Sequence, residues 1–391
     1  MTVIYPVPEM LPDPRARFIQ IMNTCSALAE AGVEVMLISG IYGKYSGDDI
    51  LAFYGIRRHA NLKIIRLPML RRENAKFLRF SWHGIFHLSL LLYLFIRKQS
   101  EKNPALFVRH IKLADFLLKF RRAMNIPIIF EAHEIFYLTT GTRERLKNME
   151  YRVLKGADTV ICISQALKQY ISGIRKNQET VIVVRDSVPK EWLSFSKNKK
   201  GSYICYAGSL HPWKGVDILI SAMKYLPDER LVIVGGGGRI NELKDLAKNE
   251  NVPDRVFFAG AVRHDEIPAL LSQAKLLVLP NIIDGPSEFS SPLKLFEYMA
   301  SGTPITASDI ASFREILTHR QNAMLFAPGN PEALAMRIKE LCDNPELSVQ
   351  LAAHARKDAA GYTYENRAER IKEVLMGLHA SELRQEVNAK G

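Results

Sequence analysis

Lys294 and Glu297 stand three residues apart in the stretch SPLKLFEYMASGTPI, which runs from Ser291 to Ile305. That spacing puts both side chains on one face of a helix. Ser291 is a suitable N-cap, Pro292 fits the first helical position, and Gly302 fits the position just past the end. Such a helix opens with free amides and the positive end of its dipole, a ready anion site. A lysine in the first turn opposes that dipole, and an anion beside it removes the conflict. Glu297 lies roughly 4.5 Å deeper at 1.5 Å per residue. That is the step from a phosphate to a ribose, whose two hydroxyls suit a carboxylate. The plainer reading is a local Lys–Glu ion pair, worth about 0.2–0.5 kcal/mol.

Two further stretches have the types that hold phosphates. In YAGSLHPWKG, Gly208 lets the chain turn closely after a strand, and Lys214 precedes the next helix, where its point charge can reach a diphosphate. An ordinary turn with a surface lysine would look the same. In VGGGGRINEL, Gly235 and Gly236 permit a ligand to approach the backbone. This is not a dinucleotide fingerprint. The third glycine of G-x-G-x-x-G falls on Ile240, and the region about twenty residues on reads as another strand.

Elements that could position these residues recur along the chain. Runs apolar at nearly every position occur at 33–39, 62–68, 105–110, 126–133, 158–164 and 180–186, and the opening MTVIYPVP also reads as a strand. In the second half they occur at 203–208, 230–238, 255–260, 275–280, 304–308 and 323–328. Such runs suit strands buried on both faces of parallel sheets, and their alternation with helical patterns implies right-handed βαβ units. The polar stretch 188–202 reads as a linker, dividing the chain into domains 1–188 and 189–362, with a charged helix over 363–391. Residues 71–102 start basic, turn apolar over Ile85–Ile96 and end basic. About twelve apolar residues are too few for a bilayer span. They fit a buried helix with solvated flanks, or one lying at a membrane interface.

The chain has 391 residues and a net charge of +12. The length favours two domains, and the charge favours an anionic partner. Cys25, Cys162, Cys205 and Cys342 form no CxxC pair, so neither zinc nor a disulfide framework is signalled, and a reducing cytoplasm is the expected home. The N-terminus has no leader-like pattern.

Taken together, YAGSLHPWKGVDILISA, LVIVGGGGRINELKDLA, RVFFAGAVRHDEIPALLSQAKLLVLP and SPLKLFEYMASGTPI resemble, in order and spacing, the retaining GT-B glycosyltransferases grouped as family 4. The likeness covers nearly the whole chain. It implies an α/β architecture of two Rossmann-like domains facing across a cleft. The N-terminal domain would take the acceptor, the C-terminal domain the nucleotide sugar, and the last helix would pack back on the N-terminal domain. On the same resemblance, Glu297 binds the donor ribose and Lys214 the diphosphate. Arg263 lies where backbone groups meet the base, and His133, at the end of an apolar strand in FEAHE, contacts the donor sugar.

Two positions depart from the family pattern. Where the family has an arginine after the glycine of YAG, this chain has Ser209, and His211 and Lys294 are the candidates to supply the charge. The first glutamate of the family's Glu-x7-Glu falls on Phe289, with Glu288 one residue early. Either Glu288 reaches the sugar, or backbone amides of Phe289, Ser290 and Ser291 replace it. The SPxKxxEYMAxG form resembles a branch that makes cell-surface polysaccharides. No Asp-x-Asp occurs, so a metal-independent reaction is expected, with no cofactor beyond the donor and the leaving charge met by Lys214, Lys294 and helix amides.

A nucleotide-dependent oxidoreductase lacks its fingerprint near the start, and a nucleic-acid binder lacks zinc spacing or aromatic–basic interleaving. A non-catalytic sugar-nucleotide-binding protein and a sugar-nucleotide epimerase of the same fold remain as alternatives. The expected partners are a nucleotide sugar, a saccharide or lipid-linked saccharide acceptor, and an anionic membrane at the inner face, with no nucleic acid.

Overall fold

In a computed structural model, the described residues are 1–41, 43–69, 83–97, 101–139, 144–195, 201–283, 289 and 291–390, with backbone alone for 139 and 381–390. Seven strands form the first sheet: β1 (Thr2–Met10), β2 (Glu34–Gly40), β3 (Leu62–Leu67), β4 (Pro104–Val108), β5 (Ile128–Ala132), β6 (Thr159–Cys162) and β7 (Val181–Val183). Their order is β3-β2-β1-β4-β5-β6-β7. Six form the second: β8 (Ile204–Ala207), β9 (Leu231–Val234), β10 (Val256–Gly260), β11 (Leu276–Leu279), β12 (Ile305–Ser308) and β13 (Met324–Phe326). Their order is β10-β9-β8-β11-β12-β13. Every pairing is parallel. Each apolar run named from the sequence overlaps one of these strands. Val35, Leu37, Leu106, Ile129 and Ile161 in the first sheet, and Cys205, Leu277 and Ala307 in the second, are fully buried, as strands covered on both faces must be.

The chain divides into two units, Met1–Arg185 with Tyr364–Gly391, and Asp186–Thr363. The helix Tyr364–Lys390 places Ala368, Ile371 and Leu375 in the same core as Phe18, Met22 and Leu28 of the helix Ala16–Glu30. The described start of the stretch 188–202 is not a free tether. Val188 and Trp192 are buried in the core of the second unit, because two apolar anchors in an otherwise polar run are enough to dock it.

The helix Gly84–Arg97 is neither wholly buried nor wholly solvated. Phe86, Leu90, Leu91 and Leu94 are buried, while Ile85, Leu88, Leu92, Phe95 and Ile96 form an exposed apolar stripe at helical spacing. Most of its basic flanks, at 70–82 and 98–100, lie outside the described residues. No helix among the described residues is long and apolar enough to cross a membrane.

Candidate active site

The carboxyl ends of β8, β9 and β10 are tied together by glycines. Gly208 N donates to Val234 O at 2.8 Å, and Gly235 N donates to Gly260 O at 2.7 Å. Gly208 and Gly235 take φ of +146° and +138°, open to glycine and little else. A Cβ on Gly235 would stand 1.9 Å from Gly208 O, so the two turns touch through backbone. Gly236 is unlike Gly235, since a Cβ there would meet nothing closer than Ala261 Cβ at 3.9 Å. Lys214 ends a short 3-10 turn, Pro212–Lys214, before the helix Val216–Ala222. Gly215 then passes against Pro280 O, where a Cβ would lie 1.9 Å away. Ser209 is exposed and accepts the Tyr206 hydroxyl on its carbonyl at 2.6 Å.

The helix expected after Ser291 is Leu293–Ala300, and its N-cap is Pro292, in an extended conformation with no side-chain cap bond. Ser291 therefore does not cap it, because Pro292, at φ −70° and ψ 134°, is still extended and the helix starts one residue later than expected. The Ser291 hydroxyl is instead buried with no hydrogen-bond partner among the described residues. Gly302 takes φ +69° just past the end, as expected.

Lys294 and Glu297 do not pair. The Lys294 amine is buried, 3.9 Å from the centre of the Tyr206 ring, and makes no hydrogen bond among the described residues. A Cβ on Gly208 would stand 2.3 Å from its Nζ. Lys294 thus reaches the glycine beside which the family carries its arginine, whereas His211 is exposed and stacked on Trp213 at 4.5 Å. Burial, and then the neighbouring charge of Lys214, push the Lys294 amine well below the usual lysine range, with Glu297 offsetting only part. Asn281, just past β11, is fully buried with both side-chain polar atoms unpartnered among the described residues.

Glu297 Oε1 lies 2.9 Å from His264 Nε2, and the His264 ring leans on Trp192 at 5.2 Å. Burial alone would lower the His264 pKa, but the bond to Glu297 and its charge outweigh this and raise it. The Arg263 side chain turns to solvent, where its guanidinium pairs with Asp265 at 2.8 Å, and its N–H donates to Glu266 at 3.0 Å. Phe289 is half-buried. Glu288 and Ser290 lie outside the described residues.

In the first unit, His133 follows β5, with its side chain 12% exposed and Nε2 buried 3.3 Å from Glu131 Oε2. No group of three or more His, Cys, Asp or Glu side chains suited to a metal ion occurs among the described residues. Sequence reasoning did not find His264, Asn281, Tyr206 or Glu131. His264 sits beside Arg263 in the motif, and Asn281 ends an apolar strand, but their roles depend on residues far along the chain.

Residues 190–358 match the family Glycosyl transferases group 1, and residues 19–189 match Glycosyltransferase Family 4. An uncharacterized glycosyltransferase of Haemophilus influenzae is 27% identical over 259 residues, 64% of this chain and 70% of the relative. The O-antigen chain mannosyltransferase RfbU of Salmonella typhimurium is 28% identical over 196 residues, 49% of this chain and 53% of the relative. The crystal structure of Anabaena Alr3699/HepE in complex with UDP aligns with 96% of this chain and 100% of its own, at a TM-score of 0.75 and 17% identity, a likeness of fold. Matched without a gap from residue 19 to 358 and built on two parallel Rossmann-like sheets, the chain belongs to the GT-B glycosyltransferases of group 1 and family 4.

Proposed function

We propose that this chain transfers a sugar, with retention of anomeric configuration, from a nucleotide diphosphate sugar to a hydroxyl of a saccharide or lipid-linked saccharide. The observation that carries the reading is the buried Lys294 amine over Gly208, which with the buried side chains of Asn281 and Ser291 has no hydrogen-bond partner among the described residues. Buried polar groups without partners are costly and rare in a folded chain. A ligand rich in anionic oxygens would satisfy them. The Salmonella relative acts on O-antigen chains by its name, and the Anabaena structure holds UDP. The first favours a cell-surface saccharide product, and the second a uridine diphosphate donor.

In this reading Lys214 and Lys294 neutralise charge developing on the leaving diphosphate, without a metal. Glu297 leaves His264 to take the ribose hydroxyls. The bond from the anomeric carbon to the phosphate oxygen breaks as the bond to the acceptor oxygen forms on the same face. The acceptor's proton passes to the departing phosphate oxygen. His133 receives a hydroxyl of the donor sugar.

A lipid-linked acceptor is supported by the exposed stripe of the helix Gly84–Arg97 and by the net charge of +12. An apolar helix face on a cationic protein suits peripheral contact with an anionic membrane at the inner face.

The test is a panel of UDP-, GDP-, ADP- and dTDP-linked sugars in the presence of a chelator, read by thermal shift and donor hydrolysis. The reading expects one donor that both stabilises and is hydrolysed. An isomerised sugar still attached to its nucleotide would identify an epimerase, and stabilisation without turnover even with acceptor a binding protein. No response to any donor would sink it.

A further inference from the structure

Glu131 lies at the centre of a buried network that the donor site does not use. It is 1% exposed, on β5, two residues before His133. Tyr5 Oη donates to its Oε2 at 3.0 Å, and Gln20 Nε2 reaches its Oε1 at 3.5 Å. The Arg367 guanidinium donates to Oε1, and His133 Nε2, which is buried and makes no hydrogen bond among the described residues, faces Oε2 at 3.3 Å. Burial alone would raise the Glu131 pKa, but His133, Arg367 and Arg109 outweigh it and hold the carboxyl well below its usual range.

Arg367 belongs to the helix Tyr364–Lys390 and is itself buried. Its remaining donors are used locally. Nε reaches Thr24 Oγ1 at 3.2 Å, and Nη1 reaches the carbonyls of Val184 at 3.0 Å and Arg185 at 2.5 Å. Those are the last two residues before the chain leaves the first unit, and Arg367 follows closely on its return at Tyr364. One guanidinium therefore joins both crossings of the chain to the carboxylate beside His133.

A structural Glu–Arg pair would need no histidine against it. An ionised carboxylate can only accept, so the ring nitrogen that faces it is favoured in its protonated form. We propose that Glu131 is the positioning residue of His133. Its carboxylate holds the ring with Nε2–H turned inward, leaving Nδ1 as the acceptor for a donor-sugar hydroxyl, and Arg367 supplies the counter-charge from the returning helix. The sugar contact rests on the function proposed above; the hold on the ring does not.

The experiment pairs nitrogen-15 NMR of the His133 ring with kinetics of the full chain. The wild-type ring should show the Nε2–H tautomer. Glu131→Gln keeps an oxygen acceptor for Arg367 but can offer an amide donor to Nε2, so the ring should switch to Nδ1–H. Turnover of the nucleotide sugar should fall about 10–100-fold in kcat, the usual range for losing a residue that orients another. UDP affinity should stay within about twofold, since the nucleotide-binding candidates lie in the other unit. His133→Ala and the double variant should show no further loss beyond the larger single one, the non-additivity of residues acting as a unit. An Nδ1–H tautomer in the wild type overturns the proposal, whether or not the variant folds. Unchanged turnover in Glu131→Gln, or losses that multiply with His133→Ala, overturn it too. Wild-type turnover in His133→Ala with the tautomer switch intact would instead remove the sugar contact and leave the hold of Glu131 standing.

Discussion

The Lys294 amine stands 3.9 Å from the centre of the Tyr206 ring and lies so close over Gly208 that a Cβ added there would come within 2.3 Å of it. A cation in that place is buried, makes no hydrogen bond among the described residues and lies near Lys214, so its pKa is held well below the usual lysine range, with Glu297 offsetting only part. Between its lowered folded value and the usual lysine value of about 10.5, the unfolded chain binds a proton that the folded chain does not. Stability therefore rises with pH across that window. Lys294→Met removes the penalty, so the unliganded variant should be more stable than wild type at neutral pH, and the gap should close as pH rises. The same variant should lose at least about tenfold in affinity for a nucleoside diphosphate, since a charge-assisted bond contributes about 1.5–3 kcal/mol. Thermal unfolding from pH 6 to 10, with and without UDP or GDP, tests both halves. A less stable free variant, or one with unchanged nucleotide affinity, would count against this account of the site.

Glu297 is held by His264 and, on the function proposed above, must be released to take a ribose. The His264 pKa is raised in the folded state, so the bond stabilises fully below about pH 6.5 and is lost as pH rises through the folded value. Glu297→Gln should then cost more stability at pH 5.5 than at pH 8.5. Wild-type nucleotide affinity should weaken on acidification, because protonated His264 competes for the carboxylate. In Glu297→Gln the affinity should be lower at every pH and nearly flat. A wild-type affinity with no pH dependence would show that His264 does not compete.

The glycines divide by what surrounds them. Gly235→Ala drives a Cβ to 1.9 Å from Gly208 O, at a φ of +138°. A backbone atom cannot step aside, so the cost should be several kcal/mol, beyond the roughly 1–3 kcal/mol of the strained backbone alone. Gly208→Ala meets the far end of the Lys294 side chain, at 2.3 Å. That lysine can swing away, so the fold should survive while nucleotide binding is lost. Gly236→Ala should change stability by less than about 1 kcal/mol, its nearest neighbour being 3.9 Å away. Urea unfolding and nucleotide titration of the three variants would separate these cases. Equal behaviour of Gly235→Ala and Gly236→Ala would contradict the geometry.

The strands were legible because burial on both sheet faces demands runs such as LLVL and LVIV, which few other structures tolerate. Lys294 and Glu297 could be placed on one helix face from spacing alone. Their parting could not, because it depends on Tyr206, Gly208 and His264, which approach only through the fold. Ser291 was misjudged as a cap because a serine before proline carries the right local signature, and the extended Pro292 shifted the start by one residue. The run 188–202 looked like a linker because composition averages hide a single Trp192 in a core. Arg367 gave no signal, since a lone arginine on a charged helix reads as solvated, yet it is buried against Glu131.

The exposed stripe of the helix Gly84–Arg97 separates folding from docking. Leu88 and Leu92 are each 62% exposed, whereas Leu90 between them is fully buried. Leu88→Ser/Leu92→Ser removes apolar surface that already faces water, so each change should alter stability by no more than about 0.5 kcal/mol. Leu90→Ala leaves a cavity and should cost about 2–5 kcal/mol. If the stripe meets a membrane, the double serine variant should lose sedimentation with vesicles rich in anionic phospholipid while keeping its nucleotide response. Binding should also fall as salt is raised, because the attraction of a +12 chain to an anionic surface is screened within about 8–10 Å at physiological salt. Vesicle binding unchanged in the double variant would assign the membrane contact to another part of the chain. Wild-type protein that leaves anionic and neutral vesicles alike in the supernatant would rule the contact out.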